Sequence, residues 1–143
     1  MSKSGRYSAD RKKIENITGN KAITVADCGT IFTIGAAAAT LTLPPLAKAG
    51  KGWWARFVVN DETAQVIITQ DSGDSANQMV GHVLTTAGDN SSVQIQPTTP
   101  GDPFDTITFT ADVLQGDHVE IYTDGSLWYV SGYSAAVDKI TCA

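Results

Sequence analysis

"DHVEIYTDGSLWYVSGY", residues 117–133, is the stretch on which the fold turns. Val119 and Ile121 alternate with Glu120 and Tyr122, the period of a strand buried on one face. Asp124-Gly125 then reverses the chain, and 127–133 returns as a second strand. Asp-Gly between two alternating runs is a strong hairpin signal. Neighbouring strand residues point to opposite faces, so Trp128 and Tyr129 part company. Trp128 shares its side with Val130 and is placed inward, with Val119 and Ile121. Tyr129 falls outward, with Leu127, Ser131 and Tyr133.

The same period extends through most of the chain. Alternating or β-branched runs at 30–34, 39–43, 53–60, 65–69, 79–84, 92–96 and 105–111 read as strands. Segments 53–69 read as a hairpin closed by "NDETA", and Gly81 marks a bulge in 79–84. Residues 28–47 carry no charged side chain, a run long enough to cross a bilayer as a helix. Within that run, however, Ala39, Leu41 and Leu43 alternate with Thr40 and Thr42, and Pro44-Pro45 stops any helix. The run therefore reads as two strands with "GAAAA" at the turn, and no membrane contact is expected. The basic start "MSKSGRYSADRKK" has no apolar core of a secretory signal.

These elements predict an all-β, single-domain antiparallel β-sandwich or partly open barrel of about eight or nine short strands. An extended N-terminal arm, 1–20, precedes the body at 21–136, and a tail follows at 137–143. Charged residues are only 17% of the chain, which favours strands and turns over surface helices.

The net charge of −5 is unevenly spread. Lys3, Arg6, Arg11, Lys12 and Lys13 outnumber Asp10 and Glu15, so the arm is +3 and the rest is −8. An acidic body excludes nucleic acid as the main partner, since phosphate binding is driven by Lys and Arg. Arg6, Arg11, Lys12 and Lys13 read either as a solvated tail or as a strap on an acidic neighbour. Cys28 and Cys142 form neither a disulfide framework nor a zinc pattern. Cys28 reads as a small buried residue and Cys142 as exposed, as in a chain made in the cytoplasm.

Catalytic material is sparse. His82 and His118 are the only histidines, and Asp117 and His118 point apart on their strand. Asp71, Asp74 and Asp89 sit in turn-like loops and read as turn formers. The sequence predicts no enzyme, no metal and no cofactor. The tryptophan pair says more. Trp53 shares parity with Ala55, Phe57 and Val59 and belongs to the core. Trp54 shares parity with Arg56 and Val58; Trp54 and Arg56 are the residue types enriched at interfaces. Either a loop covers Trp54 or a partner does.

"VADCGTIFTI" (25–34), "ATLTLPPLAKAGKGWWARFVV" (39–59) and "DTITFTADVLQGDHVEIYTDGSLWYVSG" (105–132), in that order, resemble the small accessory head proteins of tailed bacteriophages. The closing motif, Gly116-Asp117 through Val119-Glu120 and Asp124-Gly125 to Trp128-Tyr129-Val130 and Gly132, is the most specific part. The likeness spans about residues 23–133 and leaves out the basic arm. It implies a decoration, or cement, protein of the virion. Such proteins sit on the capsid exterior, as homotrimers at local three-fold axes, and clamp neighbouring major capsid proteins. The alternative is a receptor- or glycan-binding module of a head or tail fibre, with Tyr122, Tyr129 or Tyr133 stacking on sugar rings.

Overall fold

The structure, a computed structural model, describes residues 11–61, 65–87 and 91–143. The strands are β1 (Lys13–Ile17), β2 (Lys21–Ala22), β3 (Thr30–Ile34), β4 (Ala39–Thr42), β5 (Trp54–Val59), β6 (Val66–Thr69), β7 (Met79–Thr86), β8 (Val93–Gln96), β9 (Thr106–Phe109), β10 (His118–Thr123), β11 (Trp128–Ser134) and β12 (Ile140–Cys142). They form two sheets, ordered β1-β3-β5-β10-β11-β7-β8 and β12-β9-β6-β4-β2. A single helical turn, Leu46–Ala49, follows Pro44-Pro45, and Asp74 accepts a hydrogen bond from its first amide, Leu46 N, at 3.1 Å.

The all-β expectation holds in its sandwich form, but the described strands number twelve rather than eight or nine and the sheets are mixed rather than antiparallel. From β1 to β6 the chain alternates between the sheets, so strands of like direction come to lie side by side. β1 pairs with β3 and β3 with β5 in parallel, as do β2 with β4 and β4 with β6. The hairpin expected over 53–69 does not form, because β5 and β6 belong to different sheets. Each is apolar at alternate positions, and the chain meets that demand by facing the two strands across the core. The turn between β3 and β4 is likewise a crossing between sheets. The Asp-Gly hairpin does form, with Thr123 opposite Trp128 in the β10–β11 register.

The core is what parity dictates. From the larger sheet come Phe32, Ile34, Phe57, Met79, Val119, Ile121 and Trp128, and from the smaller Leu41, Val66, Ile68, Ile107, Phe109 and Ile140, all fully buried. Phe32 stacks on Phe57 with centroids 5.3 Å apart, and Trp53 meets Trp128 edge to face at 5.3 Å and 79°. Gly81 does not mark a bulge: pairing runs without a skip from Met79 opposite Trp128 to Thr85 opposite Ser134. The glycine is required because its φ is +133° and a Cβ there would run into the Val130 carbonyl.

Three chain-end expectations change. Residues 13–17 of the arm are an edge strand, β1, docked by Ile17, which is 3% exposed. The tail at 137–143 holds β12, paired with β9, and Ala143 exchanges backbone hydrogen bonds with Thr106. The two cysteines trade places. Cys28 is exposed because the chain makes a one-turn 3₁₀ helix at Val25–Asp27 before β3 begins. Cys142 is buried on β12, and burial pushes its thiol up to about 12.

Candidate interaction surface

The two outward faces of the sandwich differ in kind. On the smaller sheet Thr40, Thr42, Thr69, Thr106, Thr108 and Thr141 surround Ile67, with Thr42 beside Thr69, Thr69 beside Thr106 and Thr108 beside Thr141. Hydroxyls on alternate strand positions suit water. The larger sheet is different, because both parities of its strands carry apolar side chains.

Strand registers lay out that face as three rows. The first runs Trp54–Tyr122–Tyr129–Val80 across β5, β10, β11 and β7. The second runs Ile14–Ile31–Arg56–Glu120–Ser131–His82. The third runs Thr33–Val58–His118–Tyr133–Leu84–Ile95. Ile14 and Val93 stand 65% and 64% exposed, and Leu84, Tyr122 and Tyr133 are also open to solvent. An apolar, aromatic row thus lies on each side of a polar belt. That belt neutralises itself, since Arg56 Nε lies 3.4 Å from Glu120 Oε2 across the β5–β10 pair. Large exposed apolar patches of this kind mark contact surfaces in soluble proteins.

Charged groups meet the first row at two of its rings, Lys12 at Trp54 and Asp124 at Tyr129. Lys12 precedes Lys13, which pairs with Thr30, and Gly29, just before Thr30, donates its amide to the Trp54 carbonyl at 2.8 Å. Gly29 has φ +78° and no side chain, so Lys12 reaches across it to place Nζ 5.6 Å from the Trp54 ring centroid. On the next two strands Tyr122 and Tyr129 stack at 5.2 Å and 17°. The Tyr129 hydroxyl donates to Asp124 Oδ2 at 2.9 Å, while Asp124 Oδ1 accepts the Ser126 and Leu127 amides at 2.8 and 3.0 Å. Those two amides, then the tyrosine, hold the Asp124 carboxyl below the ordinary carboxylate range, and Asp124 in turn raises the Tyr129 phenol.

Lys13 faces away from this surface, as period two requires of the residue after Lys12. Its Nζ lies 3.3 Å from Asp27 Oδ1, and Lys21 Nζ lies 3.7 Å from Asp27 Oδ2 and 3.0 Å from Glu15. Asp27 is 6% exposed and also accepts the Thr24 amide at 2.9 Å. Burial pushes its carboxyl up, but the Thr24 amide and then Lys13 outweigh that and hold it below its ordinary value. Glu15 raises the Lys21 ammonium against the opposing effect of burial. This cluster ties β1 and β2 to the turn at Val25–Asp27.

Among the residues proposed from sequence, Lys12, Trp54 and Arg56 therefore share one face. Lys13 belongs to the Asp27 cluster, Arg11 is exposed at the first described position, and Arg6 lies outside the described residues. Trp54 is half-buried, packed on Gly29 and roofed by Lys12, so its own chain covers part of it. Sequence reading missed Ile14, Ile31, Val80, Leu84, Val93 and Ile95. The available signal was that "TIFTI" and "MVGHVL" are apolar at positions of both parities.

The polar clusters elsewhere are structural. Asp117 is buried and accepts from Ser134 Oγ at 2.8 Å, the Ala135 amide at 2.9 Å and the Leu114 amide at 3.1 Å. His118 instead places Nδ1 3.1 Å from the Gly116 carbonyl, on the outer face. A recess of about 380 Å³ is lined by Thr69, Gln70, Asp71, Asp74 and Asp105. Its aspartates are engaged as turn and cap acceptors, Asp71 by the Gly73 amide, Asp74 by the Leu46 amide and Asp105 by Thr106 Oγ1. Among the described residues no three His, Cys, Asp or Glu side chains gather as a metal site, and no helix is long and apolar enough to cross a membrane. No family model, curated protein or solved structure matches this chain.

Proposed function

We propose that this protein is a structural component of a tailed-phage virion, a decoration protein that binds the outer surface of the capsid and stabilises the shell. The observation that carries the reading is the outer face of the seven-stranded sheet, where apolar rows flank a polar belt neutralised by Arg56 and Glu120. Such a face suits a flat, weakly charged protein surface. It suits a polyphosphate poorly, because its cations are engaged by Glu120 and Trp54. The resemblance of the closing motif, Gly116 to Gly132, to phage accessory head proteins supplies the capsid as partner.

The physics of the role is mass action. A protein that binds the assembled shell and not its loose subunits stabilises the shell by each bound copy. The body needs to be rigid and its contact face preformed, because ordering a loose surface would weaken binding. The sandwich provides both, with the contact side chains standing on paired strands rather than on loops.

Titrating the protein onto purified empty capsids tests this. The wild-type chain should co-sediment with shells to a saturating ratio. Leu84→Lys and Tyr133→Lys, both on exposed positions of the third row, should weaken binding at least about tenfold. Unchanged binding by both variants would remove the sheet face from the account. Binding to host-cell glycans instead of shells would favour the fibre module.

A further inference from the structure

We propose that β8 is an open sheet edge onto which an extended segment of the capsid protein adds as a further strand. The inference rests on reading the capsid as the partner of this sheet face, and it supplies the backbone half of that contact. The hydrogen bonds of the β7–β8 ladder carry it. Ala87 donates its amide to the Ser92 carbonyl at 2.9 Å, one step beyond the Thr86–Val93 pair. Bonded and non-bonded pairs alternate along an antiparallel ladder, so Thr85–Gln94 and Val83–Gln96 are the next bonded pairs. Val93 and Ile95 fall in the pairs between, and their N–H and C=O groups point away from β7. Because β8 ends the seven-strand order, those donors and acceptors stand at the rim of the sheet.

Edge strands are ordinarily guarded against such pairing by charge or by brevity. At the opposite rim, β1 is preceded by Arg11 and Lys12, and its Lys13 and Glu15 form ion pairs with Asp27 and Lys21. In the smaller sheet the edge strands β2 and β12 have two and three residues. β8 is longer than either and uncharged. Residues 91–101 carry no charged side chain, although the chain beyond the arm is −8. Val93 is 64% exposed, and Gln94 is exposed beside it. The edge closes at Gln96, which is buried and donates to Asp138 Oδ1 at 3.1 Å.

Side-chain parity says what the added strand must carry. Val93 pairs with Thr86 and Ile95 with Leu84, so the edge continues the third row of the contact face. Gln94 points to the other side. A strand laid alongside sets alternate residues against Val93 and Ile95, and the residue between them beside Gln94. The fitting segment is therefore apolar at two positions two apart, polar between them, and uncharged. In strand addition of this kind the backbone bonds supply affinity and the alternate side chains supply selectivity. The basic arm of a second copy, with Lys3-Ser4-Gly5-Arg6, does not match that pattern.

Amide-resolved hydrogen exchange of the full chain, free and bound to purified empty capsids, tests this. In the free chain the Val93 and Ile95 amides should exchange faster than those of Gln94 and Gln96, which are paired with β7. On capsids the Val93 and Ile95 amides should slow at least about tenfold. Val93→Pro removes one outward N–H while leaving the bonds to β7 in place, and should weaken capsid binding about tenfold. Val93→Thr keeps that N–H and should weaken binding less than about threefold. Circular dichroism and the urea midpoint check that both variants fold. If Val93→Pro does not, exchange in the wild-type chain still decides. Capsid binding with Val93 and Ile95 exchanging at their free rate would overturn the added strand and leave the face contact standing. Equal binding by Val93→Pro and the wild type would do the same. Slowing in the free chain as its concentration rises would put a second copy on the edge, and would also overturn it. If the wild-type chain binds no capsid, the virion reading falls and the added strand falls with it.

Discussion

Replacing Trp128 with alanine tests the parity on which the whole fold rests. Trp128 is fully buried, packs edge to face on Trp53, and lies among residues contributed by both sheets. Its Nε1 meets no hydrogen-bond acceptor among the described residues, so truncation forfeits packing and leaves no polar partner stranded. A large buried aromatic cut to alanine costs about 3–5 kcal/mol, of which the edge-to-face pair is about 0.5–1.5. Taking about 4 kcal/mol against a total stability of about 5–15, the variant keeps a folded state with little margin. With a urea m-value near 2 kcal/mol/M the midpoint should fall by roughly 2 M. The thermal midpoint should drop by about 10–15 °C. The control is the next residue. Tyr129→Ala removes an outward ring and its hydrogen bond to Asp124, and should cost no more than about 1 kcal/mol. Urea unfolding followed by tryptophan fluorescence measures both. A Trp128→Ala loss below about 1 kcal/mol, or a Tyr129→Ala loss equal to it, would refute the inward–outward assignment of β11.

Three further outcomes follow from the same geometry. In the native protein Cys28 should react with a thiol reagent at pH 8 within seconds to minutes. Cys142, buried with its thiol pushed to about 12, should react only on unfolding, so a native titration ends at one thiol per chain. The Asp27 cluster should make β1 acid-labile. Its carboxyl lies below the ordinary value of 3.8, so its contribution is complete above that pH and is lost as the pH falls through the folded value. Hydrogen exchange should show β1 amides losing protection there before β10 and β11 do, and Asp27→Asn should cost about 1–3 kcal/mol at neutral pH. Deleting residues 1–10, which leaves β1 intact, should weaken capsid binding without moving the urea midpoint. Unchanged binding would remove the strap role of the basic arm.

Local patterning carried much of this structure and long-range pairing did not. The ranges 30–34, 39–43 and 117–133 were legible because period two is a local property, and Asp124-Gly125 fixes its own hairpin. The inward placement of Trp53 and Trp128 follows from parity alone. What parity cannot say is which sheet a strand joins. β5 and β6 look like a hairpin because a short polar loop lies between two alternating runs, yet the crossing arrangement buries the same side chains equally well. The cysteine positions were misread for a related reason. Cys28 sits among strand-like neighbours but on a 3₁₀ turn, while Cys142, near the end of the chain, is held by pairing with Ile107 on β9. Trp54 and Arg56 were legible on the outer sheet face because they are outward on β5. Their companions Leu84, Ile95 and Val93 come from β7 and β8, joined to that face only by the parallel pairing of β7 with β11.

The contact face is the centre of this account, and particle composition tests its use most directly. Quantitative densitometry of purified virions against the major capsid protein gives the copy number. A decoration protein should be present on the order of hundreds of copies per particle, since shell stabilisation sums over bound copies. It should fall away from particles carrying Leu84→Lys or Tyr133→Lys. A few copies or a few dozen per particle, or full occupancy by both variants, would contradict it.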